Sequence, residues 1–373
     1  MMDGAVRRVA VLFGGRSVEH EVSVISARGV MAGLDPRRSC AVPIAITGEG
    51  RWLSPELSRR MLVDGRARVE LADGEDDGTW LAADPGAGGI VRVDPGRSPV
   101  RMEIDAVFPV VHGWGGEDGR LQGLLDLARV PYVGAGVAGS AVAMDKAMAR
   151  ALVERYGIPV APWLAFRASD WHDDPAAILD RIVSGPGLPV FVKPANGGSS
   201  VGISKVRERE GLAGAVEIAL RHDRRVVVEH AIDAREIEVA VLGNDRPQAS
   251  VPGEIVPGAE FYTYEDKYRD GIAGLHVPAP LDASTAAEVR RLAVEAYVAL
   301  DLAGLARVDF LLDRRSGRPL FNEANTLPGF TPISMYSKMW EASGLSYADL
   351  LERLVDLAIE RARGVEALAS RRT

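Results

Sequence analysis

Residues 8–13 read RVAVLF and stop at Gly14-Gly15. An apolar run this short, closed by turn formers, predicts a buried strand. The pattern then loosens to helical spacing. A helix is expected from about Ser17, with Glu19 and Glu21 in the first turn, where acids suit the helix dipole. Residues 41–100 are rich in Gly, Pro and Asp and weakly periodic, which predicts short strands and loops. The run 106–111 (AVFPVV) predicts a second buried strand leading into the turn-rich HGWGGEDG. A helix over 121–129 and a short strand over 130–133 follow. Alternating strands and helices imply a doubly wound first domain whose strand-end loops bind ligands.

After the Gly-rich 134–139, one helix is expected over about 140–156, stopped by Gly157 and Pro159. Two short strands, 189–193 and 201–206, flank PANGGSS. A helix over 208–221 and a buried strand over 224–230, ending in an acid, complete a small mixed domain. From 235 the pattern is strand, turn, strand, then a polar, aromatic loop over 258–276. A helix over 284–300 carries Val289, Leu292, Ala296 and Leu300 on one face. A hairpin over 305–325 and a helix from about 346 close the chain. The expected division is a first α/β domain over 1–137, a central unit over 138–232 and a C-terminal unit over 233–373.

Composition narrows the function. A net charge of −8 argues against nucleic-acid binding, which needs a basic surface. No apolar run reaches membrane-spanning length, and the first one is too short for a signal peptide. The single cysteine, Cys40, excludes an intramolecular disulfide framework. Together these lead us to expect a cytoplasmic protein. Of 44 cationic side chains only Lys146, Lys193, Lys205, Lys267 and Lys338 are lysines. In an arginine-rich chain a retained lysine marks a place for a compact ammonium, or is an ordinary surface residue.

The stretch 305–330, LARVDFLLDRRSGRPLFNEANTLPGF, is the most informative. Side chains alternate along a strand, so Arg307 and Asp309 share a face, as do Glu323 and Asn325. A hairpin centred near Ser316 pairs Asp309 with Glu323 and Arg307 with Asn325. Facing carboxylates repel unless a cation lies between them. Asp, Glu and Asn oxygens suit magnesium, with phosphates completing its shell. The plainer alternative is that the carboxylates face solvent or that Arg307 neutralises them. Gly329 offers a backbone N–H for a nearby oxyanion. A metal site of this kind implies a nucleotide, yet the Walker pattern is missing and VLFGGRS after the first strand is not the dinucleotide fingerprint G-x-G-x-x-G. In VKPANGGSSVG, Lys193 ends a strand before a small-residue loop. That order suits a lysine reaching phosphates beneath a flap, or a plain Gly-Ser turn. Lys146 is either a second cation or helix decoration. Glu229, ahead of His230–Ile232, is a candidate acceptor for a base amine.

Taken together, these motifs resemble the D-alanine–D-alanine ligases of the ATP-grasp superfamily. The resemblance rests on GGRSVEHEVS (14–23), HGWGGEDGRLQG (112–123), MDK (144–146), VKPANGGSSVGISK (192–205), VVVEHAI (226–232), REIEVAVLG (235–243), EFYTYEDKY (260–268), ARVDF (306–310) and NEANTLPGF (322–330). It spans nearly the whole chain and implies an α/β and α+β ATP-grasp fold with an N-terminal doubly wound domain. The activity implied is ATP-dependent joining of two D-alanines through an acyl phosphate. D-alanine–D-lactate and D-alanine–D-serine ligases share most of the motifs and remain the alternative. By this resemblance Lys146, Lys193 and Ser200 hold ATP phosphates, and Glu229, His230, Ile232 and Glu236 meet adenine and ribose. Asp309, Glu323 and Asn325 hold two Mg²⁺, with Mn²⁺ able to substitute. Glu19 and His112 place the first D-alanine. Arg307 and Gly329 form the oxyanion site. Lys267, Ser334 and Met335 serve the second substrate. Tyr268 with Glu19 and Ser199 closes the loop that also carries Tyr262. Thr263 stands where the family more often has an acid. Small-molecule substrates, no nucleic acid or membrane partner, and a homodimer are expected.

Overall fold

In the computed structural model, the described residues are 6–64, 78–82, 89–93, 97–198, 200–256 and 274–369. The apolar run at the start is β1 (Arg7–Gly14), between parallel neighbours β2 (Ser39–Ile46) and β6 (Ala106–Pro109). Three short strands, β3 (Gly78–Leu81), β4 (Ile90–Val93) and β5 (Val100–Arg101), form an antiparallel sheet beside it. The segment 130–133 contributes only an isolated parallel bridge between Val107 and Tyr132.

The central sheet is antiparallel. Its order is β7 (Trp163–Arg167), β10 (Arg225–His230), β8 (Val190–Pro194) and β9 (Ser204–Val206). Helices Ala168–Asp173, Pro175–Ser184 and Leu212–Leu220 supply its core with Trp171, Ile178, Ile182 and Val216. The third sheet runs β14 (Gly274–His276), β13 (Gly253–Val256), β11 (Ala234–Gly243), β15 (Gly304–Asp313), β16 (Pro319–Asn325), with β12 (Gln248–Ala249) on β11. Alternation sorts its two faces. Ile237, Val239, Val308 and Phe310 pack on the helix Ala283–Ala299. Glu236, Glu238, Arg307 and Asp309 occupy the other face.

Several boundaries differ from the sequence expectation by a few residues, among them β9 and the helix Leu212–Leu220, and two of the differences have a clear local cause. The helix Val137–Met144 ends at Asp145, and a second helix, Lys146–Arg155, starts there. Asp145 is extended and accepts from Ala147 N–H and Met148 N–H, so an N-cap residue divides what reads as one apolar pattern. The helix after β1 is His20–Gly33 rather than one beginning near Ser17, because Ser17 Oγ accepts from Glu19 N–H at 2.9 Å in a turn.

Cores also cross the expected divisions. The helices at 137–155 pack with the third sheet through Ala143, Ala149 and Val153. The C-terminal helix Tyr347–Ala369 completes the first core: Leu350, Leu351, Leu354 and Leu357 join Val9, Phe13 and Phe108. Arg7 pairs with Glu352 and Asp356, and Arg361 donates to Gly134 O at 2.6 Å and Tyr132 O at 3.1 Å. Among the described residues no helix is long and apolar enough to cross a membrane.

Candidate active site

Two cavities meet between the sheets. The larger, about 470 Å³, lies between the first-domain loops and residues 323–336. The smaller, about 150 Å³, lies between the central and third sheets. They share Lys146, Gly197, Gly198, Glu238, Arg307 and Glu323.

The shared wall is the acidic hairpin. Asp309 pairs with Glu323 and Arg307 with Asn325, the register read from the sequence, and a bulge follows at Asp309/Phe310. Arg307 lies between acids. Its Nε and Nη2 donate to Asp309 Oδ1 and Oδ2 at 2.8 and 2.7 Å, and its Nε is 3.2 Å from Glu238 Oε1. Burial opposes the guanidinium charge, but Asp309 and Glu238 outweigh it and push the Arg307 pKa well above its usual value. Lys146 Nζ is 3.5 Å from Glu323 Oε2 and donates to Gly197 O at 2.8 Å. Lys146 opens its helix, whose first amides are taken by Asp145 and Ala195 O, so the ammonium is what this helix end offers to an anion.

Asn196 ties that helix to the small-residue loop. Its amide donates to Asp145 Oδ2 at 3.1 Å and to Asp223 Oδ2 at 2.8 Å, while Lys146 N–H donates to Ala195 O at 2.9 Å. Gly197 at φ +146 and Ser200 at φ +59 give the loop its bend. Lys193, on β8, pairs with Glu229, which Arg150 holds from its other side. Burial holds the Lys193 ammonium below its ordinary value despite Glu229. Burial alone would raise the Glu229 carboxyl, but Arg150 and Lys193 together hold it below the usual carboxylate range. The Glu229 carboxylate is therefore engaged by cations rather than held open for a base amine. Glu229 and Glu236 line the smaller cavity. The amides of His230 and Ala231 are donated to Pro162 O and Pro189 O, both at 2.8 Å.

The larger cavity is held by a chain of hydrogen bonds through His112. Phe330 N–H donates to Ser26 Oγ at 3.2 Å, Ser26 Oγ is 2.8 Å from His112 Nε2, and His112 Nδ1 donates to Leu327 O at 2.9 Å. Both imidazole nitrogens thus fasten the loop around Gly329 to the first domain. Burial opposes its protonation, yet Glu117, with Oε1 at 4.0 Å, and Glu19 raise its pKa; burial in turn raises that of Glu117. Ser17 Oγ donates to His112 O at 2.8 Å and fixes Glu19 beside it. Gly113, at φ +73, lets the Glu19 carboxylate approach where a Cβ would collide. Ser334 Oγ accepts from Thr331 N–H at 3.0 Å at the start of the helix Met335–Ala342, and Met335 is buried against the cavity.

Ser199, Tyr262, Lys267 and Tyr268 lie outside the described residues. Four side chains were missed by the sequence reading. Glu238 follows Glu236 on the same strand face, and Arg150 comes one helical turn after Lys146; both spacings were visible signals. Glu117 belongs to the acidic pair of HGWGGEDG, beside His112, whereas Ser26 carried no such signal.

For a divalent metal, Asp309, Glu323 and Asn325 present hard oxygen donors on adjacent strands, a set that fits Mg²⁺. Among the described residues no three His, Cys, Asp or Glu side chains gather into a metal cluster. Both Asp309 oxygens accept from Arg307, and Asn325 Oδ1 accepts from Leu327 N–H at 3.2 Å, so a metal bound there would have to replace these partners.

The family model for the D-ala D-ala ligase N-terminus matches residues 8–135, and that for the C-terminus matches residues 152–356. A D-alanine–D-alanine ligase of Streptomyces griseus is 48% identical over 369 residues, covering 96% of this chain and 94% of that one. The solved D-alanine-D-alanine ligase of Coxiella burnetii is 36% identical with a TM-score of 0.84, covering 98% and 97% of the two chains. The VanG D-Ala:D-Ser ligase of Enterococcus faecalis is 34% identical with a TM-score of 0.83, covering 95% and 100%. The likeness runs through both halves of the chain and all the strands that build the two cavities. The chain belongs to the D-alanine–D-alanine ligase family, with its ATP-grasp fold.

Proposed function

We propose that this enzyme joins two D-alanine molecules at the expense of ATP, and that the two cavities divide the work. One observation carries the division. The cavities share Lys146, Arg307 and Glu323, so a phosphoryl group from one side and a carboxylate from the other meet at the same charges. Amide formation from a free carboxylate is uphill, and an acyl phosphate supplies the activation. Lys146 and Lys193 would grip the phosphates beneath the Gly197–Ser200 loop, and Glu236 would meet the ribose. Ile232 and the backbone near His230 would read the base. Glu19 would hold the first amino group, with His112 fixing its surroundings. When the second amine attacks, Arg307 and the Gly329 amide would stabilise the oxyanion, a task suited to fixed donors in a dry site. Ser334, Met335 and Lys267 would receive the second substrate. Tyr268, Tyr262 and Ser199 would close over the intermediate, which water would otherwise destroy.

ATP and a divalent metal belong to the family's chemistry. Asp309, Glu323 and Asn325 would hold the metal, and we propose two Mg²⁺, with Mn²⁺ able to substitute. When bound, the metal neutralises charge on the transferring phosphoryl oxygens. The three units 1–137, 138–232 and 233–373, a homodimer and a cytoplasmic location are further proposals supported by the resemblance. The test compares ADP release with D-alanine alone and with D-alanine plus D-lactate or D-serine at neutral pH. Faster dipeptide formation from D-alanine alone is expected; preferential use of lactate or serine would overturn the assignment of the second substrate.

A further inference from the structure

Arg150 has no place in the chemistry described above, yet it is among the largest fully buried side chains of the molecule, 2% exposed. Its Nη2 pairs with Glu229 and lies 3.4 Å from Asn322 Oδ1, next to Glu323 on β16. Among the described residues its Nε and Nη1 find no acceptor. Burying a guanidinium with two nitrogens unsatisfied is costly, and an apolar side chain would fill the space without that cost. The arrangement therefore serves the carboxylate it faces.

Glu229 is as buried as Arg150 and has a second partner in Lys193. If Lys193 were its only counter-ion, moving the ammonium to a phosphate would leave a buried carboxylate uncompensated, a strongly unfavourable state. We propose that Arg150 is a positioning residue for ATP binding: a resident counter-ion that keeps Glu229 neutralised while Lys193 leaves it for a phosphate. The inference rests on the reading that Lys193 grips ATP phosphates. Arg150 reaches Glu229 from the helix that starts with Lys146, one turn away on the same face. The helix thus carries both a phosphate cation and the charge that releases the other one. The low pKa direction of Glu229 agrees, with Arg150 the leading attraction acting on it.

The test uses the full-length enzyme with Mg²⁺, D-alanine and varied ATP. Arg150→Met should raise the KM for ATP by about tenfold or more, equivalent to ~1.4 kcal/mol, with the KM for D-alanine unchanged. Arg150→Lys should keep most of the ATP affinity. The double variant Arg150→Met/Glu229→Gln should recover ATP affinity, because no buried charge then competes for Lys193. Thermal unfolding of each variant checks that it is folded. An unchanged KM for ATP in folded Arg150→Met, or a double variant that binds ATP no better than Arg150→Met, would overturn the proposal. Lys193→Met separates the two levels. If it leaves the KM for ATP unchanged, the phosphate reading itself fails; if it raises that KM while Arg150→Met does not, only the role of Arg150 fails.

Discussion

The two cavities meet at one wall but are held together differently. Around the smaller one, position is set by buried charge: Arg150, Lys193, Lys146 and Arg307 each face a carboxylate carried by a strand. Around the larger one, position is set by a chain of hydrogen bonds from Ser26 through His112 to the backbone at Leu327 and Phe330. Charge on strands gives a rigid array, and under the proposed function a polyphosphate would enter it by replacing internal partners. A hydrogen-bonded loop gives shape, which suits a small zwitterion whose own charges are few. The difference teaches that removing a charge should cost turnover on the first side, whereas neutral changes should be felt on the second.

The largest effect that tests this contrast is Glu323→Ala. It removes the proposed metal donor and the partner of Lys146, and ADP release should fall by at least about 10²–10³-fold, the scale for losing a preorganised charge. Circular dichroism should show the fold retained, because Glu323 lies outside the hydrophobic clusters; near-normal turnover at ordinary magnesium would break the charge side of the comparison. Ser26→Ala comes next. It leaves Phe330 N–H and His112 Nε2 without their common partner, at a cost of about 1–3 kcal/mol in unfolding free energy. It should also raise the KM for D-alanine while leaving that for ATP alone. A parallel rise in both would mean the cavities are not separately supported. The smallest effect is a pH slope. His112 and Glu117 both have raised folded-state pKa values, so the folded protein binds more protons than the unfolded chain. The His112 contribution is complete below its unfolded value of 6.5 and is lost as pH rises through the higher folded one. Ionising Glu117 costs stability in the same direction above its unfolded value of 4.5. Stability should therefore decline with rising pH across this window, and Glu117→Gln should flatten the decline in urea titrations at several pH values.

The charged side was the more legible in the sequence. Strand alternation is a period of two, so the pairing of Asp309 with Glu323 follows once the turn is centred. The bulge after Asp309 lies beyond reach of such counting, because an inserted residue keeps the same composition. The larger cavity resisted reading for a different reason. Ser26 and Phe330 are 304 residues apart, and nothing local tells a serine on an amphipathic helix that its partner is a distant backbone amide. The break at Asp145 was missed because apolar spacing continues through it, although Asp ahead of a lysine-bearing turn is a capping signal. Arg150 fell between the two cases, since its spacing from Lys146 was visible but its burial was not.

The closure of the first core by the last helix also bears on how the molecule is made. Leu350, Leu351, Leu354 and Leu357, which cover Val9, Phe13 and Phe108, are synthesised long after them. More than 200 residues separate the two sets. At about 5–20 residues per second the first sheet waits roughly 10–40 s with one apolar face uncovered. The ion pairs of Arg7 with Glu352 and Asp356 likewise form only after that wait.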